Sequence, residues 1–414
     1  MPKNRNRKKT HVAVRNITAM PNVFTPVAGR ENGNKQYWRW GDDNCFPYAV
    51  AALSRRSVTH RRVMNDKADY IAGKGFIFDE NNTVLKELCG CANCNRESLH
   101  DVFKKISLDY TIFGNAFLEV VTDRNGSFLS FFHQDATKCR ISYDRRHVKL
   151  HHDWHAYTEN EAKEVALFPL FEQAADGTLR SIIHYKDYEP MFEHYGVPQY
   201  IAGWKVSAIA YKTDQWNISR LDNSYQLSGV MMLAASCDSE EEAKQIVQAA
   251  ETKFAGKPGQ VMFIVKDPDG EDCSKFIPIQ SSNEGDWKDL HDQATSDIVV
   301  AHSWFQTLSG LDYATGFNSE RILNEYEVAL NTVILPAQEK LLKPIRQILY
   351  SILHIDASSM QAVNKPPVTV KQPYMYIWEC RKADGLDFDP DDPQQQVFLA
   401  NISRVADSGE NNKK

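Results

Sequence analysis

The sequence predicts an α+β fold in which two differently built regions are joined by long helices. Strand-like segments crowd together between residues 116 and 188, and helical periodicity dominates on both sides of them. Two long helical patterns, 195–224 and 284–306, enclose a short region where strand and helix patterns alternate. A still longer helical pattern follows over 319–353. The order of these elements, rather than any short motif, carries most of the information about the fold.

Length and composition place the chain among ordinary soluble proteins. Its 414 residues suffice for two or three domains, and 42% of them are hydrophobic against 25% charged. The formal charge of −6 argues against wholesale wrapping of nucleic acid, although that sum can hide a local basic patch. Eight scattered cysteines predict reduced thiols in a cytosolic setting rather than a disulfide scaffold.

The N-terminal residues 1–36 are predicted to form a flexible basic arm, because they are rich in Asn, Arg, Lys and Gly and show little periodicity. No apolar stretch follows the opening MPKNRNRKKT, and no run of 18 apolar residues occurs, so we expect neither a secretory signal nor a membrane span. The basic cluster of the arm suits contact with nucleic acid or an acidic partner, but a solvated tail is the favoured interpretation: Lys3, Arg5, Arg7, Lys8 and Lys9.

Residues 37–194 are predicted to form an α+β domain of roughly 150 residues. One helix is expected from about 47 to 72, ended by the glycines of AGKGF. Another begins after Ser98, which stands in capping-box spacing with Asp101. Strands are expected in AFLEVV, SFLSFF, CRISYD, HVKLHH, VALFPLF and RSIIHY.

The segment 195–224 is predicted to be one long helix with Pro198 in its first turn, roughly 35 to 40 Å long. Its apolar residues include Val197, Ile201, Trp204, Ala208 and Tyr211. A second face carries the small residues Ala202, Gly203, Ser207 and Ala210. Two packing faces and an interleaved polar edge are typical of helices arranged in a ring, although a long helix within one large domain shows the same pattern.

A small β-α-β-β module is predicted over 225–283. The strand SGVMMLAA is followed by a helix that Ser239 and Glu242 cap and that Gly256 ends. The segments QVMFIV and SKFIPIQ flank KDPDGEDC, which predicts two further strands and a tight turn.

After the second long helix, the loop TLSGLDYATGFN leads into the helical pattern 319–353. Pro336 and Pro344 are expected to kink this helix, because each removes a backbone hydrogen bond and crowds the preceding turn. The remaining residues, 354–414, contain the β-like PPVTVKQPYMYIWE, the acidic DGLDFDPDDP and a predicted short helix, QQQVFLANISRVAD, before an end expected to be disordered.

Catalytic motifs are mostly absent. The phosphate-binding pattern G-x-x-x-x-G-K-[ST] does not occur, and neither do G-x-S-x-G, H-E-x-x-H and G-x-G-x-x-G. These absences weaken an enzymatic interpretation without excluding it. The acidic pairs Asp42–Asp43 and Asp391–Asp392 suit Mg²⁺, but no catalytic constellation accompanies them, and solvated turns are favoured.

Two clusters have ligand types that suit a metal ion. The segment CGCANC brings together Cys89, Cys91 and Cys94, and His100 follows six residues later. Because the second half of a tetrahedral zinc site is missing, a surface loop with cysteines is favoured. The segment HHDWH supplies three further imidazoles, and exposed side chains are the favoured interpretation: His151, His152 and His155.

The order of elements resembles that of the tailed-bacteriophage portal proteins, also called head-to-tail connectors. The resemblance extends over about 37–353, with local similarity in WGDDNCFP, in LDYTIFGNAFLEVVTDRNG and in the helix entry YGVPQYIAGWKVSAI. It implies a portal-like fold with a wing (37–194), a stem of two helices (195–224 and 284–306) and a clip (225–283). It further implies a tunnel loop (307–318), a long kinked helix returning to the wing (319–353) and a short crown-like C-terminal region (354–414).

The resemblance also implies a function without bond chemistry or cofactors. Members of this family form a ring, usually of about twelve subunits, at one capsid vertex. Double-stranded DNA passes through the ring without sequence-specific contact, and the ring docks the terminase motor and later the neck or adaptor proteins. The expected partners are therefore further copies of this chain, the major capsid protein, terminase, neck proteins and DNA. The expected location is the virion, after assembly in the host cytoplasm.

Residue by residue, the resemblance predicts three sets of functional positions. The tunnel loop contains Ser309, Gly310, Leu311, Asp312, Tyr313, Ala314, Thr315 and Gly316. Candidate DNA contacts in the stem are Lys205, Lys212 and Arg220. Packing of the first stem helix between copies of itself is assigned to Ile201, Gly203, Trp204 and Ala208. Two alternatives stay open: a capsid-associated adaptor without a channel, and a metal-dependent nucleic-acid protein that uses the Cys89–Cys94 cluster.

Overall fold

The computed structural model describes residues 36–79, 81–157, 161–222, 227–234, 260–266, 275–278, 284–311, 318–368, 375–383 and 386–397. Three sequence predictions lie wholly or partly outside these residues: the basic arm, the helix expected between Ser239 and Gly256, and residues 312–317 of the tunnel loop. No helix in the described part of the chain is both long enough and apolar enough to cross a bilayer.

The first predicted helix is two helices, α1 (Phe46–Arg56) and α2 (Val58–Ala72). The prediction of one continuous helix was wrong because Ser57 adopts an extended conformation (ψ 119°) and its hydroxyl caps α2 by accepting the His60 N–H. Gly73 ends α2 with a φ of 73°, as expected.

After a short strand, β1 (Phe76–Ile77), and the helix α3 (Thr83–Gly90), the helix α4 (Leu99–Phe113) confirms the predicted capping box. The hydroxyl of Ser98 accepts the Asp101 N–H, and the carboxylate of Asp101 accepts the Ser98 N–H.

Seven strands follow, as the strand-rich texture predicts: β2 (Asn115–Thr122), β3 (Leu129–Gln134), β4 (Cys139–Ile141), β5 (His147–Leu150), β6 (Lys163–Ala166), β7 (Glu172–Gln173) and β8 (Leu179–Lys186). One antiparallel sheet has the order β3-β2-β8-β7 and the other has the order β4-β5-β6. Every residue of β2 is buried. The central strand β2 therefore contributes side chains to the hydrophobic core on both of its faces, toward α4 and toward the second sheet.

The long helix predicted over 195–224 begins later than expected. A 3₁₀ turn at Gln199–Gly203 precedes the α-helix α5 (Trp204–Asp222). The preceding chain is held extended by the sheet, because the Asn115 side chain donates to Gly196 O and accepts from Gly196 N, both at 2.8 Å. These bonds pin the chain before Pro198 and leave no room for a first helical turn there.

The small module contains β9 (Leu227–Ala234), β10 (Gln260–Lys266) and β11 (Lys275–Pro278). These strands agree with the prediction. In the sheet, β9 lies between the other two strands, parallel to β10 and antiparallel to β11.

The second long helix, α6 (Glu284–Ala301), ends five residues before the predicted 306. Ser303 adopts a left-handed conformation (φ 50°), and the Trp304 N–H donates to Val299 O at 3.1 Å. This bonding closes the helix with the geometry that usually follows a C-terminal glycine.

The predicted long kinked helix is present as α7 (Ser319–Ala329), a π-helical turn over Leu330–Ile334, and α8 (Leu335–Leu353). The π-turn lies directly before Pro336, whose ring would crowd the preceding turn of a regular α-helix. Apolar residues of α8, among them Leu341, Ile345 and Ile348, join the same core as Phe103 of α4. The helix therefore runs back onto the N-terminal domain.

Two short elements follow α8. The strand β12 (Gln361–Ala362) pairs antiparallel with β1. The helix α9 (Ile377–Ala383) stands where the sequence predicted strand, because the Glu379 carboxylate accepts the Tyr376 N–H at 2.8 Å and so starts a helical turn. The helix predicted from Gln394 is not helical in its described part, 394–397, and the rest lies outside the described residues.

Candidate functional site

The two long helices pack against each other along a seam of small residues. A Cβ atom added at Gly203 would lie 2.2 Å from the Cβ of Ala301 in α6. Further along the seam, Ala210 of α5 packs with Ala294 and Ile298 of α6. The residue types of the small face are explained by this close approach of two helices within one chain.

The other face of α5 packs on α1 of the same chain. Trp204 is 2% exposed and stacks on Phe46, with ring centroids 6.2 Å apart. The Arg56 guanidinium lies 5.4 Å from the centre of the Tyr211 ring. Gly203 and Trp204 are therefore both covered inside the chain, and their packing between copies stays a prediction. Ile201 and Ala208 are partly buried against the same cluster as Trp204.

The basic residues predicted to contact DNA have different surroundings. Lys205 and Lys212 are exposed on α5. The side chain of Arg220 lies outside the described residues. Exposure is necessary for a contact with DNA, but it does not distinguish DNA from another acidic surface.

The predicted tunnel loop rises from a packed base. A 3₁₀ turn, Thr307–Ser309, ends at Gly310, which is left-handed at φ 63°. Ser309 is 2% exposed, and its hydroxyl accepts the Trp304 indole N–H at 3.2 Å. The Ser309 carbonyl accepts the Arg62 Nε–H at 3.2 Å. Ser309 therefore belongs to the base of the loop and not to its free part.

A hydrophobic cluster, the loop-base cluster, holds both ends of the loop. It consists of Val63, Val299, Trp304, Leu308, Tyr326, Ala329 and Ile334, with Leu311 packed at its edge. On the far side of the loop, Asn318 caps α7 by accepting the Arg321 N–H at 3.0 Å. Thr307 donates to the Glu325 carboxylate, which also pairs with Arg321 Nε at 2.8 Å. Asp312, Tyr313, Ala314, Thr315 and Gly316 lie outside the described residues, between these two anchored ends.

A buried polar joint connects α2 with the start of α5 and the end of α6. The Lys67 ammonium is 4% exposed and donates to Gln199 Oε1 and to the His302 carbonyl, both at 2.8 Å. Burial lowers the pKa of Lys67 to about 8. The rings of His60 and His302 meet at 2.9 Å between Nδ1 and Nε2. Burial lowers the pKa of His60 to about 4 and that of His302 well below its usual value.

Beside this joint lies a cavity of about 560 Å³. Asp187, at the end of β8, forms an ion pair with Lys340 of α8 and accepts the Tyr110 hydroxyl at 2.5 Å. These contacts join the end of the sheet to the returning helix, so that the loop base, the helix pair and the N-terminal domain form one connected structure.

The histidine pair makes the joint sensitive to acid. Because its folded-state pKa is lowered, His60 binds a proton more readily in the unfolded state, and the stability it contributes above pH 6.5 is lost as pH falls toward 4. We expect His60 alone to cost about 2 kcal/mol of unfolding free energy at pH 5 relative to pH 7. The measurement is urea unfolding of the wild type and of His60→Gln at both pH values. Identical pH dependence of the two proteins would contradict the assignment.

The metal candidates do not assemble into a site. Burial raises the pKa of Cys89 to about 11, the Cys91 thiol contacts Asn93 O at 3.4 Å, and His100 points to Gly73 O at 3.3 Å. Within the described ranges, no group of three or more His, Cys, Asp or Glu side chains is arranged to hold a metal ion.

The remaining candidate residues, the histidines of HHDWH and the two acidic pairs, make local structural contacts. His151 is buried, at 3% exposure, which corrects the expectation of an exposed imidazole. His155 lies 3.6 Å from the Cys45 thiol. The acidic pairs lie in turns, where Asp43 accepts the Cys45 N–H and Asp392 accepts the Gln394 N–H.

Four residues that support these sites were not predicted from the sequence: Arg62, Lys67, Trp304 and Glu325. Each of them contacts a partner that is distant in sequence or lies in a turn, and hydrophobic periodicity predicts neither kind of contact. The only available signal was the apolar Trp304–Phe305 pair just before the glycine-bounded loop.

No protein-family model matches this chain, and no curated protein sequence matches it. Solved structures do match. A chain in the virion of a native gene transfer agent particle shares 15% identity with a TM-score of 0.50, over 82% of this chain and 94% of that chain. A chain in the neck of the native particle, computed with C12 symmetry, shares 14% identity with a TM-score of 0.52, over 83% and 95% of the two chains. The chain has the portal fold.

The portal fold confirms the predicted α+β class and the predicted order of elements. A crystal structure of an HK97-family phage portal protein from Corynebacterium diphtheriae also matches, with 12% identity, a TM-score of 0.46 and coverage of 77% of this chain and 97% of that chain. At these identities the likeness concerns the fold. The helices α5 and α6 correspond to the predicted stem helices, β9–β11 lie in the predicted clip, and the loop base precedes and follows the predicted tunnel loop.

Proposed function

We propose that this chain is a portal protein that assembles into a closed ring of about twelve copies at one capsid vertex. The ring forms a channel through which double-stranded DNA enters during packaging and leaves during ejection. One observation carries the proposal: 83% of this chain shares its fold with 95% of a chain from a particle neck that was computed with C12 symmetry.

The chemistry of the chain supports passage of DNA without tight binding. Each phosphate that Lys or Arg neutralises adds affinity that opposes sliding. The formal charge of −6 per chain, repeated around a ring, repels DNA overall. The loop sequence between Leu311 and Asn318 contains a single charged residue, Asp312, which is acidic. With one acidic charge and no basic residue, this segment is suited to touch the duplex without gripping it.

The partners follow from the same assignment. In the proposed role, the clip sheet β9–β11 docks the terminase motor and later the neck or adaptor proteins, and the wing contacts the major capsid protein. The location is the virion, after assembly in the host cytoplasm. The role needs no cofactor and no catalytic residue.

The tunnel loop can be tested without disturbing the fold. Replacing 312–315 by glycine and serine, with Leu311 retained because it packs on the loop-base cluster, is expected to leave ring assembly unchanged and to impair DNA packaging or retention. The stem and the loop base keep all their contacts in this variant. The readouts are native mass and the amount of nuclease-protected DNA per particle.

A matched control replaces 389–392, in the acidic C-terminal region, by glycine and serine, and packaging is expected to continue. Loss of rings in the loop variant, with the stem and clip still folded, would show that the loop is an assembly element and not a tunnel loop.

The proposal as a whole is tested by native mass spectrometry of the purified protein. A single closed species of about twelve times the chain mass of 47.2 kDa is expected. Monomers at high concentration would contradict the portal assignment and would favour an adaptor without a channel.

A further inference from the structure

The outer face of α5, opposite the stem seam, is basic. It carries Lys205, Ile209 and Lys212, which recur at intervals of four and three residues and so lie on one side of the helix. Both lysines are exposed, and neither has an acidic partner within 4 Å among the described residues. Ile209 is 38% exposed between them. This surface is called the basic face below.

The outer face of α6 has the opposite charge. It carries the exposed residues Asp289, Asp292, Gln293 and Ser296, and ends at Val300, which is 74% exposed. Asp297, also exposed, adds a third carboxylate at its margin, and Lys288 is the one exposed cation in the described part of α6 whose side chain is placed. This surface is called the acidic face below.

The two faces point in opposite directions. In α5, the seam residues Gly203, Ser207 and Ala210 lie about half a helical turn from the basic face, at roughly 100° per residue. In α6, the seam residues Ala294 and Ile298 lie similarly far from the acidic face. The pair of helices therefore presents the basic face of α5 on one side and the acidic face of α6 on the opposite side.

The two faces also match in height along the stem. The helices run antiparallel, because Gly203 lies beside Ala301 and Asp214 lies 3.8 Å from His291. Lys212 therefore stands at the level of Asp292, with Asp289 one turn further on. Rotation about a ring axis places each residue of the next subunit at the same height along that axis. When the helix pair is repeated around a ring, the basic face of one copy therefore meets the acidic face of the next.

We propose that the basic face of α5 in one subunit docks on the acidic face of α6 in the next, forming a head-to-tail interface between copies of this chain. Lys212 pairs with Asp292 and Asp289 of the neighbour, Ile209 lies at the level of the neighbour's Ser296, and the aliphatic part of Lys205 packs at the level of Val300. A contact between unlike surfaces generates a ring when its rotation closes. This inference rests on the proposed ring, and it assigns Lys205 and Lys212 to the neighbouring subunit instead of to DNA.

Charge reversal tests the pairing. Lys212→Glu is expected to raise the protein concentration needed for ring assembly about tenfold, because an attractive pair at every interface becomes repulsive. The variant Asp289→Lys/Asp292→Lys is expected to do the same. Combining all three substitutions restores opposite charges, and rings are expected to return. The readout is the ring fraction by native mass over a concentration series at constant, moderate salt.

Lys86→Glu, an exposed lysine on α3 that is far from the stem in sequence and outside both faces, is the matched control and is expected to assemble like the wild type. Normal assembly of Lys212→Glu, or failure of the combined variant to recover while its monomer stays folded, would overturn the interface. Absence of rings in the wild type would instead overturn the portal proposal, so the two failures are distinguishable.

Discussion

Replacing Trp304 by Ala is expected to lower the free energy of unfolding by about 3–5 kcal/mol, the largest effect predicted for a single residue of the loop-base cluster. Trp304 is 6% exposed in the loop-base cluster, lies 5.6 Å from the Tyr70 ring and donates its indole N–H to Ser309. Its loss leaves a cavity at the loop base and removes one of the hydrogen bonds of the Ser309 hydroxyl. Urea unfolding measures the effect, and protease cleavage near Gly310 reports whether the loop base opens.

The control is Tyr350→Ala, which removes another large aromatic side chain but from a position that is 67% exposed on α8. We expect a change within about 0.5 kcal/mol there. If Trp304→Ala were as mild as Tyr350→Ala, the loop base would not be the rigid anchor described above.

A second large effect is expected from Gly203→Ala. The new methyl group would lie 2.2 Å from the Ala301 Cβ, far inside the ordinary contact distance, so the stem helices must separate. We expect a loss of about 1–3 kcal/mol, as for other overpacked contacts, although alanine favours helix over glycine. The measurement is the thermal unfolding midpoint of the isolated chain, together with the ring fraction.

A compensating change isolates the contact. Removing the opposing methyl group in Gly203→Ala/Ala301→Gly is expected to restore much of the stability, because the two substitutions exchange the positions of one methyl group across the seam. Ala202→Val adds bulk at the exposed neighbouring position and is expected to be nearly neutral. Equal stability of Gly203→Ala and the wild type would show that the helices do not approach as closely as described.

Much of the fold was predictable because local sequence patterns determine where its helices and strands begin and end. The capping box at Ser98 and Asp101 marked the start of α4, short strand-like segments marked the strands from Asn115 to Lys186, and apolar spacing marked the buried face of α8. The prolines marked a disturbance in the long helix, which the structure accommodates as a π-turn before Pro336. Each of these signals acts within a few residues of its cause.

The remaining features depend on partners distant in sequence. The small residues of α5 predicted a close neighbour but not which one. The same residues suit a second copy of the chain or Ala301 of the same chain, and in the structure Gly203 lies against Ala301. The burial of Lys67 and the meeting of His60 with His302 require three separate elements to converge. Ser309 appeared to be a loop residue because glycines and polar residues surround it, whereas Trp304 and Arg62 bury it.

Electron microscopy of the purified protein tests the central claim most directly, because it shows closure, subunit number and channel in one image set. The account predicts closed rings of about twelve subunits around an open central hole, with the stem helices side by side at one end and the wings outermost. Single chains at high concentration, or open filaments without a closed channel, would contradict it.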